Sequence, residues 1–240
     1  MSFIRPPKSL LRLVGSAIAD YRMIHPGDRV LLGLSGGKDS FSLLHILLHL
    51  QRHAPIHFEV GALTVDPQSA NFDPAPLKTL IPALGIPYLQ EAQPILEQAR
   101  IHMDGDSYCS FCARMRRGIL YTQARRHGYN VVALGHHLDD LAESFLMSAF
   151  HGGRIKTMKA HYVNDAGDLR VIRPLVYVRE RQTIAFATAA GLPIIAENCP
   201  ACFRAPTQRQ HFKALLAHEE EINHNLFKSL LSALRPVMNA

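Results

Sequence analysis

The sequence predicts an α/β protein, a parallel sheet with helices on both faces. Short apolar runs bounded by turn residues recur at Arg29–Leu34, His57–Val65 and Asn130–Leu134, and stretches of helical spacing alternate with them. RVLLGL and NVVAL are apolar at nearly every position, as strands buried on both faces are.

The elements follow in order. Leu10, Leu11, Leu13, Val14, Ile18 and Tyr21 have helical spacing, which predicts a helix over about Ser9–Met23, broken by Gly27-Asp28. Arg29–Leu34 is the first strand, Ser35–Ser40 a turn and Phe41–Leu50 a helix. His57–Val65 is the second strand and ends at Asp66-Pro67. The proline-rich stretch Asn71–Gly85 holds one short helix, Pro76–Leu84, and Ile86–Gln90 is a third strand. Cys112–His127 reads as a helix stopped by Gly128, Asn130–Leu134 as a strand and Asp139–Phe150 as a helix. After His151-Gly152-Gly153 the pattern changes. His161–Val163 and Leu169–Ile172 flank Asn164-Asp165-Ala166-Gly167-Asp168 as a hairpin. Arg179–Ala190 is helical, and two more helical stretches follow Pro206.

A length of 240 residues suits one domain with appendages, and an apolar share of 48% supplies a sizeable core. With 19% charged residues, long disorder is not expected. The net charge of +6 permits nucleic-acid binding and equally fits a merely solvated surface. No long uncharged apolar stretch predicts a membrane span, and the start, MSFIRPPK, lacks the features of a signal peptide. A cytoplasmic protein is expected, in which four cysteines are ligands or catalytic groups rather than a disulfide frame.

The strongest motif is Ser35-Gly36-Gly37-Lys38-Asp39-Ser40, between a buried strand and a helix. Paired glycines let the backbone turn tightly and bring bare N–H groups to a ligand, and the following helix aims its positive end there. Ser35, Lys38 and Ser40 add donors for phosphate oxygens. It is not a Walker A loop, because Leu32 stands where that motif needs glycine and Asp39 follows the lysine. It resembles the PP-loop signature of enzymes that split ATP into AMP and pyrophosphate. A simple turn is the bland alternative.

Ligands of open α/β sheets bind beyond the carboxyl ends of the strands. Asp66 ends the second strand, and Gly135-His136-His137-Leu138-Asp139-Asp140 follows Asn130–Leu134. The adjacent carboxylates of Asp139 and Asp140 suit Mg²⁺ at the phosphates or proton transfer. Alternatively, Asp139 is a helix N-cap. His136 and His137 show no metal-ligand spacing.

The cysteines form two Cys-x-x-Cys pairs, Cys109/Cys112 and Cys199/Cys202, a spacing that lets both sulfurs of a pair face one metal. A cluster, a structural zinc site and a thiol redox pair all remain open on spacing alone. The long interval between the pairs is unlike a zinc ribbon and requires a site beside the main sheet, near the ATP pocket.

Several stretches together resemble the tRNA 2-thiocytidine synthetase family. They are Ala17–Ile24, Leu34–Ser40, Cys109–Tyr121, Ala133–Asp140, Gly152–Lys156, Val171–Glu180 and Gln208–Gln210. They cover nearly the whole chain in order. The resemblance implies the fold of PP-loop ATP pyrophosphatases, similar to the adenine nucleotide alpha hydrolases. It implies residues 1–28 as an N-terminal helical extension and 29–153 as a PP-loop ATP-binding core. Residues 154–240 would be an extension completing the cluster site and substrate surface.

It further implies 2-thiolation of a cytidine in a tRNA anticodon loop, with ATP, Mg²⁺ and a [4Fe–4S] cluster. The metal ligands would be Cys109, Cys112 and Cys202. The nucleotide site would be Ser35, Gly36, Gly37, Lys38, Asp39 and Ser40 with Asp66 and Gly135. The catalytic groups would be Asp139, Asp140, Lys38 and Arg116, the last four residues beyond Cys112. The partners would be tRNA and a cellular sulfur donor (a cysteine desulfurase or sulfide), with no membrane, in a homodimer. Arg114, Arg116, Arg117, Arg125 and Arg126, then Arg154, Lys156 and Lys159, then Arg204, Arg209 and Lys213 are candidate RNA-phosphate contacts, each also explicable as a surface charge.

The chain departs from the family pattern at Asn198, at Phe203-Arg204-Ala205-Pro206 and after Asp66. A diverged paralogue with another RNA target is therefore an alternative. So are a small-molecule ligase or amidotransferase with zinc and a redox-sensing ATP binder.

Overall fold

A computed structural model describes residues 2–69, 72–102, 108–195 and 207–239. Its sheet has six strands: β1 (Arg29–Gly33), β2 (Glu59–Asp66), β3 (Tyr88–Ala92), β4 (Val131–Ala133), β5 (His161–Val163) and β6 (Arg170–Ile172). Their order is β3-β2-β1-β4-β6-β5, parallel except for β5, which runs antiparallel to β6. The expected hairpin is present. Its β6 pairs with β4, so the sheet runs on past residue 153.

The helices are α1 (Lys8–Asp20), α2 (Lys38–His53), α3 (Leu77–Leu80), α4 (Ile95–His102), α5 (Tyr108–Arg126), α6 (Leu138–Gly152), α7 (Glu180–Ala189), α8 (Gln208–Ile222) and α9 (Leu226–Asn239). A 3₁₀ turn, Pro82–Leu84, follows α3. α4 has no counterpart in the expected elements. α5 begins four residues before the expected Cys112, so Cys109 as well as Cys112 lies within the helix.

Alternate side chains of each strand go to opposite faces. Val30 and Leu32 of β1 join the larger core, with Phe41 and Leu44 of α2, Leu141 of α6 and Phe186 of α7. Leu31 of β1 points the other way, to Leu63, Val132, and Leu120 and Ala124 of α5. Both sheet faces are covered, as the sequence predicted. Gly61 is required by contact: a Cβ there would lie 2.1 Å from the Tyr129 hydroxyl. No described helix is long and apolar enough to cross a membrane.

From β1 the chain moves through β2 to β3 on one side, then returns to place β4 on the other side of β1. The crevice beyond the carboxyl ends of β1 and β4 is the topological switch point, where open α/β sheets bind ligands.

Candidate active site

Two loops meet at this crevice, 35–37 after β1 and 134–137 after β4. Gly36 has φ +86°, a left-handed conformation that favours glycine, and a Cβ there would lie 3.0 Å from Ile195 Cβ. Gly37 caps α2 in extended conformation. Ser35 Oγ accepts from Gly37 N–H at 3.3 Å and lies 3.2 Å from Ser40 Oγ, which donates to the Gly37 carbonyl at 2.9 Å. Gly135 packs on the same helix start: its Cβ would lie 3.3 Å from Ser40 N. A larger residue at Gly135 would push the β4 loop off α2.

Three helix N-termini converge here. α2 begins at Lys38, α6 at Leu138 and α7 at Glu180. Their first-turn N–H groups and dipoles favour negative charge. The side chains knit the three ends together. Asp39 of α2 accepts from Thr183 Oγ1 of α7 at 2.5 Å and from Lys38 Nζ at 3.0 Å. Asp139 of α6 accepts from Glu180 N–H at 2.7 Å and from Arg179 Nε at 3.1 Å. His137 Nε2 stands 3.7 Å from Asp39.

Asp139 is not the N-cap of α6. His137 is, and its Nδ1 accepts from Asp140 N–H while Asp140 accepts from His137 N–H. The two adjacent aspartates diverge because successive helical residues point about 100° apart. Asp139 turns to α7. Asp140 turns to Arg209 Nη2, 2.9 Å away, whose Nε also reaches Glu143 at 2.8 Å. Burial raises the Glu143 carboxyl above its ordinary range, against the pull of Arg209.

Lys38 donates to Glu180 at 2.9 Å as well as to Asp39. Burial works against its charge, but the two carboxylates outweigh it and raise the ammonium pKa. Burial would raise the Glu180 carboxyl, yet hydrogen bonds from Lys213 and Lys38 hold it down at about 2. Burial pushes His136 down to about 3, with Arg173 and Arg209 adding to the effect, so this ring is neutral and offers no positive charge.

Asp66, at the end of β2, is half-buried and accepts from Gln68 N–H at 2.8 Å. Beside it a groove of about 430 Å³ opens between the end of β3 and α5, lined by Gln93, Arg114, Met115, Gly118, Thr122 and Gln123. Arg116 is half-buried on α5, one turn beyond Cys112.

The side chain of Cys109 and the whole of Cys199, Cys202 and Arg204 lie outside the described residues. The described chain stops at Ile195, whose N–H donates to the Gly36 carbonyl at 2.9 Å, and resumes at Thr207, which caps α8. Among the described residues no group of three or more His, Cys, Asp or Glu is arranged to hold a metal.

Sequence reasoning assigned no role to Arg179 and Glu180, although both end the Val171–Glu180 stretch, and it missed Thr183 and Glu143, which lie in no motif. Three of the basic residues it offered as candidate RNA contacts pair with carboxylates. Arg209 and Lys213 turn into the site, and Arg125 pairs with Asp168 at 2.6 Å. Arg114, Arg126, Arg154, Lys156 and Lys159 remain exposed.

A family model described as a PP-loop domain matches residues 10–201. A tRNA-cytidine(32) 2-sulfurtransferase of Geobacter metallireducens is 43% identical over 227 residues, 93% of this chain and 88% of the relative. The chain belongs to the PP-loop tRNA sulfurtransferases. A second such relative, from Geobacter sulfurreducens, is 42% identical over 95% of this chain and 89% of its own. Among solved structures, the U34-tRNA thiolase NcsA from Methanococcus maripaludis with its [4Fe-4S] cluster superposes with TM-score 0.78. At 20% identity, over 96% of this chain and 78% of that one, it shows a shared fold. The matched span includes the Ser35–Ser40 loop at the sheet's switch point.

Proposed function

We propose that this protein uses ATP to replace the 2-oxygen of a tRNA cytidine with sulfur, the activity its curated relatives are named for. One observation carries the reading most strongly: three helix N-termini and Lys38 converge on the glycine loop beyond β1 and β4. That arrangement suits a polyphosphate.

A ring carbonyl oxygen is a poor leaving group. Its attack on the α-phosphorus of ATP expels pyrophosphate and leaves an adenylated base. A sulfur nucleophile then attacks C2 and expels AMP, which carries the oxygen away. Lys38 and the loop N–H groups hold the phosphates and offset the charge that develops on them. Asp139 and Asp140 hold Arg179 and Arg209 at the rim, and each carboxylate oxygen keeps a second lone pair. Mg²⁺ travelling on the phosphates fits one such contact, because it keeps most of its ligands as water and phosphate oxygen.

The donor set fits an iron–sulfur cluster. Cys109 and Cys112 fall within one turn of α5, and the later pair is tethered four residues beyond Ile195, the hydrogen-bond partner of Gly36. Cys109, Cys112 and Cys202 would hold a [4Fe–4S] cluster, which supplies an open iron for an incoming sulfur ligand. Arg116 is then one turn from the reacting centre. The groove beside Asp66, with Arg114, Gln93 and Gln123, has room and donors for a nucleotide of the tRNA. The enzyme would work in the reducing cytoplasm as a homodimer, drawing sulfur from a cysteine desulfurase or sulfide.

Mass spectrometry of tRNA nucleosides from a strain lacking the gene tests this reading. Loss of 2-thiocytidine, restored by the intact gene, is expected; an unchanged thionucleoside profile would refute it.

A further inference from the structure

The carboxylate of Glu180 is shared by two lysines from different elements. Oε1 accepts from Lys38 Nζ of α2 at 2.9 Å, and Oε2 accepts from Lys213 Nζ of α8 at 2.5 Å. Lys213 is 56% exposed, so it has the freedom to lie in solvent and instead folds onto the first residue of α7. An ammonium has three donors. Among the described residues, Lys38 directs two at Asp39 and Glu180, which leaves one. Lys213 directs one at Glu180, which leaves two. Those donors border the crevice where the N-termini of α2, α6 and α7 meet.

We propose that Lys213 is a second polyphosphate-binding lysine of the nucleotide site, and that Glu180 is the positioning residue that brings it there. This rests on the reading of the glycine loop as an ATP site. It gives Lys213 a different partner from the RNA phosphates that its place in a basic cluster suggests. It also accounts for an acidic residue beside the glycine loop: the charge of Glu180 is matched by the two lysines it aligns, whose hydrogen bonds hold its carboxyl down at about 2.

The test is equilibrium binding to the anaerobically purified full-length protein at fixed Mg²⁺ concentration. α,β-Methylene-ATP and an unmodified tRNA transcript are titrated separately. Lys213→Ala is expected to weaken nucleotide binding about fivefold, a charge-assisted contact discounted for solvent exposure. Its tRNA affinity should stay within about twofold, and Lys213→Arg should recover most of the nucleotide affinity. Glu180→Gln should weaken nucleotide binding, and adding Lys213→Ala to it should cost less than in the wild-type background, because the two act as a unit. Wild-type nucleotide affinity in Lys213→Ala would overturn the proposal. So would a loss on tRNA as large as the loss on nucleotide. If the wild-type protein itself binds no nucleotide, the ATP-site reading fails instead, so the two failures are distinguishable. Should Lys213→Ala melt early by circular dichroism, Lys213→Gln replaces it under the same criteria.

Discussion

The N–H of Ile195 donates to the carbonyl of Gly36 at 2.9 Å, and the Ile195 Cβ lies 3.0 Å from the point where a side chain on Gly36 would start. The segment that leads toward Cys199 and Cys202 is thus stitched to the middle of the phosphate loop. Asp140–Arg209 makes the matching connection at the start of α8. The described residues on either side of the later cysteine pair, Ile195 and Arg209, are thus both fixed at this crevice.

Gly36→Ala tests this stitch. The substitution places Cβ against Ile195 and forces a non-glycine residue into φ +86°. ATP affinity should fall at least about tenfold, with a stability loss of about 1–3 kcal/mol in urea melts. Gly15→Ala, inside α1 where a Cβ meets nothing within 4 Å, is the control and should leave ATP affinity unchanged and stabilise by about 0.5–1 kcal/mol.

Thr183→Val removes the hydroxyl that donates to Asp39 and leaves that carboxylate without one of its partners. Thr183 is fully buried, and the Asp39 side chain is 24% exposed. A loss of about 1–3 kcal/mol is expected from the unmade bond, with a fall in turnover because Asp39 adjoins Lys38. Unchanged turnover at equal folded fraction would show that α7 does not organise the loop.

Stability should fall in mild acid, partly through His45. Burial pushes this histidine from 6.5 to about 4, and its Nδ1 accepts the Ile4 N–H, so the folded state holds it neutral. Its folded pKa lies below the unfolded value. The contribution is therefore present above pH 6.5 and lost as pH falls toward 4. Thermal melts from pH 8 to 4 should show this slope, and His45→Gln should flatten it while lowering stability at pH 8.

The cysteines should not be equivalent. Cys202→Ala is expected to lose iron and the absorbance near 400 nm, while Cys199→Ala keeps most of its iron. Equal loss in both would mean four thiolate ligands, and the open iron of the proposed chemistry would be gone.

The turn at the centre of the site was legible in the sequence. Two glycines between a buried run and a helical stretch predict a tight strand-to-helix turn, because that signal is local. The strands were legible for the same reason. The partners of the loop were not: Glu180 meets Lys38 across 142 residues of chain, and nothing near either residue signals it. Adjacent Asp139 and Asp140 read as a pair, but helical rotation sends them to α7 and α8. Arg209 and Lys213 read as RNA contacts because a sequence shows charge and not the carboxylate each charge faces. α4 escaped because Gln93-Pro94 and its mixed polarity hide one short amphipathic helix.

The central claim is that ATP cleavage and sulfur insertion occur at one composite site. The direct measurement is a single anaerobic reaction of iron-loaded enzyme with ATP, sulfide and unmodified tRNA, assayed together for nucleosides and nucleotides. The account predicts 2-thiocytidine formed only with ATP, with AMP and pyrophosphate produced in step with it. ADP and orthophosphate as the main products, or thiolation that proceeds without ATP, would contradict it.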